Sequence, residues 1–247
     1  MSRFAVISDI QWPYHDQRAL DLAFTFVQDH SWDAVLVVGD ELDSPEPSAW
    51  NKGAAGEYAG TLQRSIDGCH DMLADLVDAA AGSPVHLMRS NHQARIEKYL
   101  NRYAPALSSL RCLDYSTLLG LDELGITFHR KPYRFTGEAG GWYLAHGDEG
   151  NLIQTAGGTA MSLAKNRWGT SVVAGHTHRL GLQHQHLSVN GRIEKHVFGF
   201  EVGHLMSIKK AGYLRAGSAN WQQGMGAIVD GIPVPLPIIG GKIAVSL

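Results

Sequence analysis

Two mixed β-sheets packed face to face with helices outside, an α/β architecture, follow from three observations. Over residues 3–103, short continuous apolar runs alternate with stretches of helical period. Beyond Leu124 the texture changes to short β-like segments. The 247 residues, 44% hydrophobic and 18% charged, have an ordinary globular composition without repeats or low-complexity tracts. Parallel-type strands that lead into antiparallel-type ones suit two layered sheets.

The elements follow in order. Residues 4–7 predict a strand buried on both faces that ends just before Asp9. After the Pro13 turn, Asp16 caps a helix carrying Leu20, Ala23, Phe24 and Val27 on one face. Residues 34–38 form a second buried strand, stopping at Gly39-Asp40. Residues 41–56 hold Pro45, Pro47, Gly53 and Gly56 and predict a long loop, and 57–81 predict a helix. A third strand over 84–88 ends at Ser90-Asn91-His92, and helical spacing resumes over 93–103. Residues 126–129, 142–146, 171–174, 180–187, 193–203 and the tail 225–245 read as strands, with one helix over 151–166. No composition shift marks a linker, so residues 1–247 are expected to form one domain.

Twenty-one Lys plus Arg against 24 Asp plus Glu leave a formal charge of −3. That charge provides no overall basic field, so a stable nucleic-acid complex is not expected. No run approaches membrane-spanning length and the first residues carry no secretory pattern, which predicts a cytoplasmic protein. Cys69 and Cys112 are too few for a disulfide framework and read as buried reduced thiols. Thirteen histidines are many for this length and raise the question of metal.

Ligands of open α/β folds bind beyond the carboxyl ends of the strands. Five predicted strand ends carry metal-capable residues: Asp9, Asp40, Asn91 with His92, His146, and His176 with His178. Singly, each is an ordinary turn residue. In order, Asp9-Ile10-Gln11, Gly39-Asp40-Glu41-Leu42-Asp43, Ser90-Asn91-His92-Gln93, His146-Gly147-Asp148 and Gly175-His176-Thr177-His178 form a signature. It resembles that of the calcineurin-like metallophosphoesterases, in compact forms of the phage and bacterial kind.

The resemblance spans residues 4–178 and implies a four-layer αββα sandwich that binds two divalent ions. Mn²⁺ is the first expectation, with Fe, Zn or Ni as alternatives. One ion would take Asp9, Gln11, Asp40 and His178, and the other Asp40, Asn91, His146 and His176. A hydroxide between them would attack phosphorus, with His92 serving the leaving oxygen and Asp43 orienting His92. Two dications against two carboxylates keep such a site positive for an anionic ester.

Three positions depart from the pattern. Gln11 stands in place of a histidine, Ser90 in place of a glycine, and Gln93 in place of an acid. An amide oxygen is a weaker donor than imidazole to Mn, Fe or Zn, so the first ion should bind more loosely. His15 is either a substitute ligand or a turn residue beside the Asp16 cap. Arg95, Lys98 and Arg102 form a basic stripe that either reaches substrate or faces solvent. Trp221, within Asn220-Trp221-Gln222-Gln223, and Trp50 are candidates to line a substrate pocket. His184 and His186 read as surface residues, and His30, His70, His86, His129, His196 and His204 receive no role.

The resemblance and the mild acidity favour a phosphodiesterase acting on nucleotides, 2′,3′-cyclic ones among them, with phosphomonoesterase side activity. The alternatives are a nuclease of the same superfamily and a non-catalytic scaffold that keeps the fold. The oligomeric state is not legible.

Overall fold

The computed structural model describes residues 2–135, 141–210 and 219–245, with the side chain of Trp50 outside that description. A seven-stranded mixed sheet runs in the order β12-β11-β10-β1-β2-β3-β4. Its members are β1 (Arg3–Ile7), β2 (Ala34–Val37), β3 (Val85–Met88), β4 (Thr127–His129), β10 (Gly224–Val229), β11 (Ile232–Ile239) and β12 (Lys242–Ile243). β1 to β4 pair in parallel, and β10 joins β1 antiparallel. The second sheet, in the order β5-β6-β7-β9-β8, holds β5 (Tyr133–Phe135), β6 (Trp142–Leu144), β7 (Ser171–Ala174), β8 (Leu180–Val189) and β9 (Arg192–Val202).

Strand alternation sorts the core into layers. Phe4 and Val6 of β1 meet Trp142, Val173 and Phe200 of the second sheet, while Ala5 and Ile7 face helices α1 (Gln17–Gln28) and α2 (Leu62–Ala79). Helix α5 (Gly158–Leu163) covers the outer face of the second sheet through Ala160, Met161 and Leu163. The result is the αββα layering that the sequence predicts. Among the described residues no helix is long and apolar enough to cross a membrane.

Several expectations are corrected. The helix expected from residue 57 begins at Leu62, because Gly60 adopts φ 66° and a separate 3₁₀ turn occupies Ala55–Tyr58. Of the helix expected over 151–166, only residues from Gly158 are helical, continuing as a π-type turn over Ala164–Trp168. Gly157, at φ 75°, ends the preceding loop. Within α1, Phe26 joins Ala19, Leu20, Ala23 and Val27 in the core, and Phe24 is half-buried. Cys69 is buried, but Cys112 is exposed.

Strand β5, the turns over 105–113 and the short α4 (Tyr115–Leu118) were not anticipated. β8 and β9 form one hairpin, turning at Asn190-Gly191 with φ 51° and 76°. Such a pair favours a turn whose twist matches the strands. β11 carries Pro233, Pro235 and Pro237 at alternate positions, so the missing N–H groups face away from β10 and blunt the free edge.

Candidate metal centre

Registers Ile7↔Val37 and Val37↔Leu87 level the carboxyl ends of β1, β2 and β3 in one sheet, and Leu144↔Val173 levels those of β6 and β7 in the other. The loop beyond each end carries a residue of the signature. Nine described non-glycine residues have positive φ, and Asp9, Gln11, Asp40, His176 and His178 are five of them, at 53° to 66°. Left-handed backbone costs about 1–3 kcal/mol per residue where side chains are not glycine, and such strain concentrates at functional sites. Here it turns the side chains back over the strand ends.

Asp9 divides its oxygens. Oδ2 accepts from Ser8 Oγ at 2.5 Å and from the His176 N–H at 2.9 Å. Oδ1 is buried, has no hydrogen bond among the described residues, and lies 3.1 Å from His178 Nε2. Asp40 is the hub. Its Oδ2 is 3.1 Å from Gln11 Nε2, 3.4 Å from His146 Nε2 and 3.6 Å from His92 Nε2. His146 donates Nδ1–H to the carbonyl of Val38 at 2.8 Å, which orients the ring so that, in its charged form, Nε2–H donates to Asn91 Oδ1 at 2.9 Å and faces Asp40 Oδ2.

Ligand-capable atoms of Asp40, His146 and His176 lie within 4.8 Å of one another, as do those of Asp9, Asp40 and His178. Two groups that share one carboxylate are the arrangement a two-ion centre requires. The orphaned Oδ1 of Asp9 and the converging ring nitrogens fit hard or borderline divalent ions.

Gln11 enters the cluster through its amide nitrogen, leaving Oε1 buried and unpartnered among the described residues. To act as a ligand, the amide must turn over about its last torsion. His15 is not a substitute. Its Nε2 bonds Gln17 Oε1 at 2.9 Å and its ring stacks on Trp12.

The charges are tightly coupled. Burial pushes the Asp40 carboxyl up, yet the charge of His146 beside it holds it well below the usual range. Burial likewise raises Asp9, and His178 overrides it, so that group too is lowered. Burial alone would depress His146, but Asp40, Asp9 and Asp148 push it up to about 10. His176 is lowered, first by burial and then by His146.

Beside the cluster, His92 Nδ1 stands 2.9 Å from Asp43 Oδ1, although off the line of a hydrogen bond. Arg95 donates Nη2–H to His92 Nε2 at 2.7 Å and Nη1–H to the carbonyl of Asp43 at 2.5 Å. Lys98 and Arg102 stay in solvent, so only the first member of the basic stripe reaches the site.

The two other departures from the signature explain one another. Gln93 Nε2 donates to buried Glu41 at 2.7 Å and its Oε1 accepts the Ser90 N–H, where a second acid would face Glu41. A Cβ on Gly39 would come within 2.7 Å of Ser90 Cβ, which requires glycine there.

Trp221 stands edge-to-face on His178, with centroids 4.4 Å apart. Gln222 and Gln223 bind the Leu180 N–H and Asp16 Oδ2, tying neighbouring segments together. His184 and His186 are exposed, as expected, and His184 bonds His196. Two neighbours carried no sequence signal. His204, held to about 3 by burial and by His178, packs 5.5 Å from the His178 ring. Glu201, fully buried, accepts Thr177 Oγ1–H at 2.9 Å.

Fold and site thus define an α/β two-sheet protein with a candidate two-ion centre at the carboxyl ends of its strands. The chain is 36% identical over 251 residues to the Gene 54 protein of Mycobacterium phage D29, and 35% identical to that of Mycobacterium phage L5. Each comparison covers 99% of this chain and 96% of the relative. The chain belongs to this family of phage Gene 54 proteins. No family model matches the sequence. Among solved structures, Vps29 of Cryptosporidium parvum is similar at a TM-score of 0.48 and 15% identity, covering 93% of this chain and 86% of that one. Vps29 of Entamoeba histolytica, in a complex with Zn²⁺, is similar at 0.44 and 12%, covering 93% and 87%.

Proposed function

We propose that the protein is a two-metal phosphoesterase of the calcineurin-like type. Its main activity is on nucleotide phosphodiesters, 2′,3′-cyclic ones among the candidates, with phosphomonoesters as side substrates. The observation that carries this reading is the pair of ligand groups sharing Asp40 beside the His92–Asp43–Arg95 cluster. Asp9, Asp40 and His178, with Gln11 once its amide is turned, would hold one divalent ion. Asp40, Asn91, His146 and His176 would hold the other, and Mn²⁺ is the first candidate for both. Such ions supply a nucleophile from water at neutral pH and a positive field for the ester oxygens.

The remaining work falls to the chain. A guanidinium only donates, so in the Arg95 contact His92 Nε2 accepts and a neutral ring carries its proton on Nδ1, facing Asp43. Substrate must displace Arg95 from His92, and the freed Nε2 must take up a proton, before it can serve the leaving oxygen. The freed guanidinium then has an anionic ester to bind. A scaffold would have no need of this arrangement. A nuclease would want a basic groove, whereas Lys98 and Arg102 share their exposed helix face with Glu97.

The test is hydrolysis of bis(p-nitrophenyl) phosphate by purified protein with Mn²⁺. Asp40→Asn should abolish turnover, and His92→Asn should cut it by roughly 10²–10⁴-fold while ion binding persists. An absence of turnover of diester and monoester with every divalent ion tried would overturn the reading.

A further inference from the structure

Sheet order sets out the site as a row along one edge. The residues leading into β10 sit beside the end of β1, because Val6 pairs with Gly226. Along that edge come Trp221 before β10, Asp9 after β1, Asp40 after β2, and Asn91 with His92 after β3. Trp221 and His92 therefore flank the candidate ion ligands from opposite ends. Beyond Trp221 lies a cavity of about 610 Å³, lined by Leu180, Pro235, Pro237, Ile238 and Ile239 as well as Trp221 itself. No charged side chain lines it among the described residues. Trp221 thus belongs both to the cavity lining and to the surroundings of His178.

Hydrolysis of a phosphodiester breaks one P–O bond. Water supplies the new oxygen on phosphorus and a proton goes to the leaving oxygen, while the second ester group stays attached. With His92 at the β3 end serving the leaving oxygen, the retained group must point elsewhere, and the uncharged end of the row is the one at β10 and β11.

We propose that Trp221 and the prolines of β11 form the subsite for the retained ester group, and that this group carries a flat ring, as an aryl ester or a nucleoside does. The proposal rests on the phosphoesterase reading above. A monoester would place a charged oxygen where the shelf offers the amides of Gln222 and Gln223 but no cationic partner, which favours diesters. A flat ring on Trp221 gains the stacking that makes aromatic platforms tolerant of every base.

The experiment holds the leaving group constant. Bis(p-nitrophenyl) phosphate and ethyl p-nitrophenyl phosphate both release p-nitrophenolate but retain an aryl or an ethyl group. The quantity read is the ratio of their kcat/KM values, with Mn²⁺ present. Trp221→Ala should lower the ratio by about tenfold, the loss of one stacked ring, mainly through the KM of the aryl diester, and Trp221→Phe should restore most of it.

Calorimetry should show the same selectivity without turnover. The preference of the Mn²⁺-loaded protein for diphenyl phosphate over dimethyl phosphate should shrink in Trp221→Ala. If both substrates slow equally, Trp221 only packs His178 and the subsite is overturned while the enzyme reading stands. If the unsubstituted protein hydrolyses neither diester, the enzyme reading falls and takes the subsite with it.

Discussion

At Gln11 a neutral amide stands where the signature expects an imidazole, beside Asp9, Asp40 and His178. Its N–H satisfies Asp40 Oδ2 and its oxygen remains buried without a partner, so the side chain is committed to the carboxylate rather than to an ion. Ion binding on this side must first turn the amide, and the oxygen it then presents is a weaker donor than imidazole. Gln11→His should lower the Mn²⁺ concentration for half-maximal activity by about tenfold, or about 1.4 kcal/mol of ligation. An unchanged half-saturation in a Mn²⁺ titration would remove this argument. Glycine at position 175 is a second fixed point. A Cβ there would collide with Ser8 Oγ and come within 2.5 Å of Asp9 Oδ2. Gly175→Ala should therefore push Asp9 off its position and weaken Mn²⁺ binding, as read by electron paramagnetic resonance of the free ion. Binding equal to that of the unsubstituted protein would show that the loop yields without moving Asp9.

The loop after β7 would serve both ions of the proposed centre, because Thr177 lies between His176 and His178. Its hydroxyl donates to Glu201 of β9, and the same carboxylate accepts the N–H groups of Gly157 and Thr159 at the start of α5. One buried acid thus ties the histidine loop to a helix terminus. Thr177→Val should cost about 1.5–3 kcal/mol, the range for a hydrogen bond to a charged group, and weaken both ion sites together, while Thr177→Ser should retain them. Melting curves and Mn²⁺ calorimetry check this, and a Val variant with normal affinity for both ions would rule the coupling out. The element scale also shows what could be read from the sequence. Buried apolar runs ending in polar residues placed Asp9, Asp40, Asn91, His146 and His176, since parallel strands put those ends at one edge by topology alone. Glu201 and His204 belong to segments whose partners are distant in sequence, and nothing in their local pattern marks them. The helix expected over 151–166 was over-extended because apolar period does not reveal that Gly157 adopts positive φ. Asn190-Gly191 was a legible turn signal that the strand pattern alone did not use.

For the whole molecule, the coupled charges set a pH dependence that ions should reverse. Asp40 and Asp9 are lowered in the folded state, so their contribution is present above the ordinary carboxyl value of 3.8 and is lost as pH falls through the depressed values. His146 is raised from 6.5 to about 10, so its contribution is complete below pH 6.5 and is lost as pH rises toward 10. His15, His86, His129, His176 and His204 are lowered from 6.5, so they oppose His146 until the unfolded chain has released their protons, by about pH 8. Glu41 and Glu201 are raised from 4.5 by burial and act chiefly on the acid side of this window. Between about pH 8 and 9, once the unfolded chain has released its histidine protons, His146 therefore governs the slope. The folded protein keeps one proton that the unfolded chain has released, and stability falls by up to about 1.4 kcal/mol per pH unit. Protein stripped with a chelator should lose Tm steadily across that window, at about 2–4 °C per kcal/mol for a chain of this size. Ion binding must expel the same proton, so affinity should rise with pH, and the Tm difference between Mn²⁺-loaded and stripped protein should widen. His146→Gln should flatten the stripped curve. A stripped protein whose Tm does not change between about pH 8 and 9 would mean that His146 carries no extra proton, and the charge coupling through Asp40 would have to be abandoned.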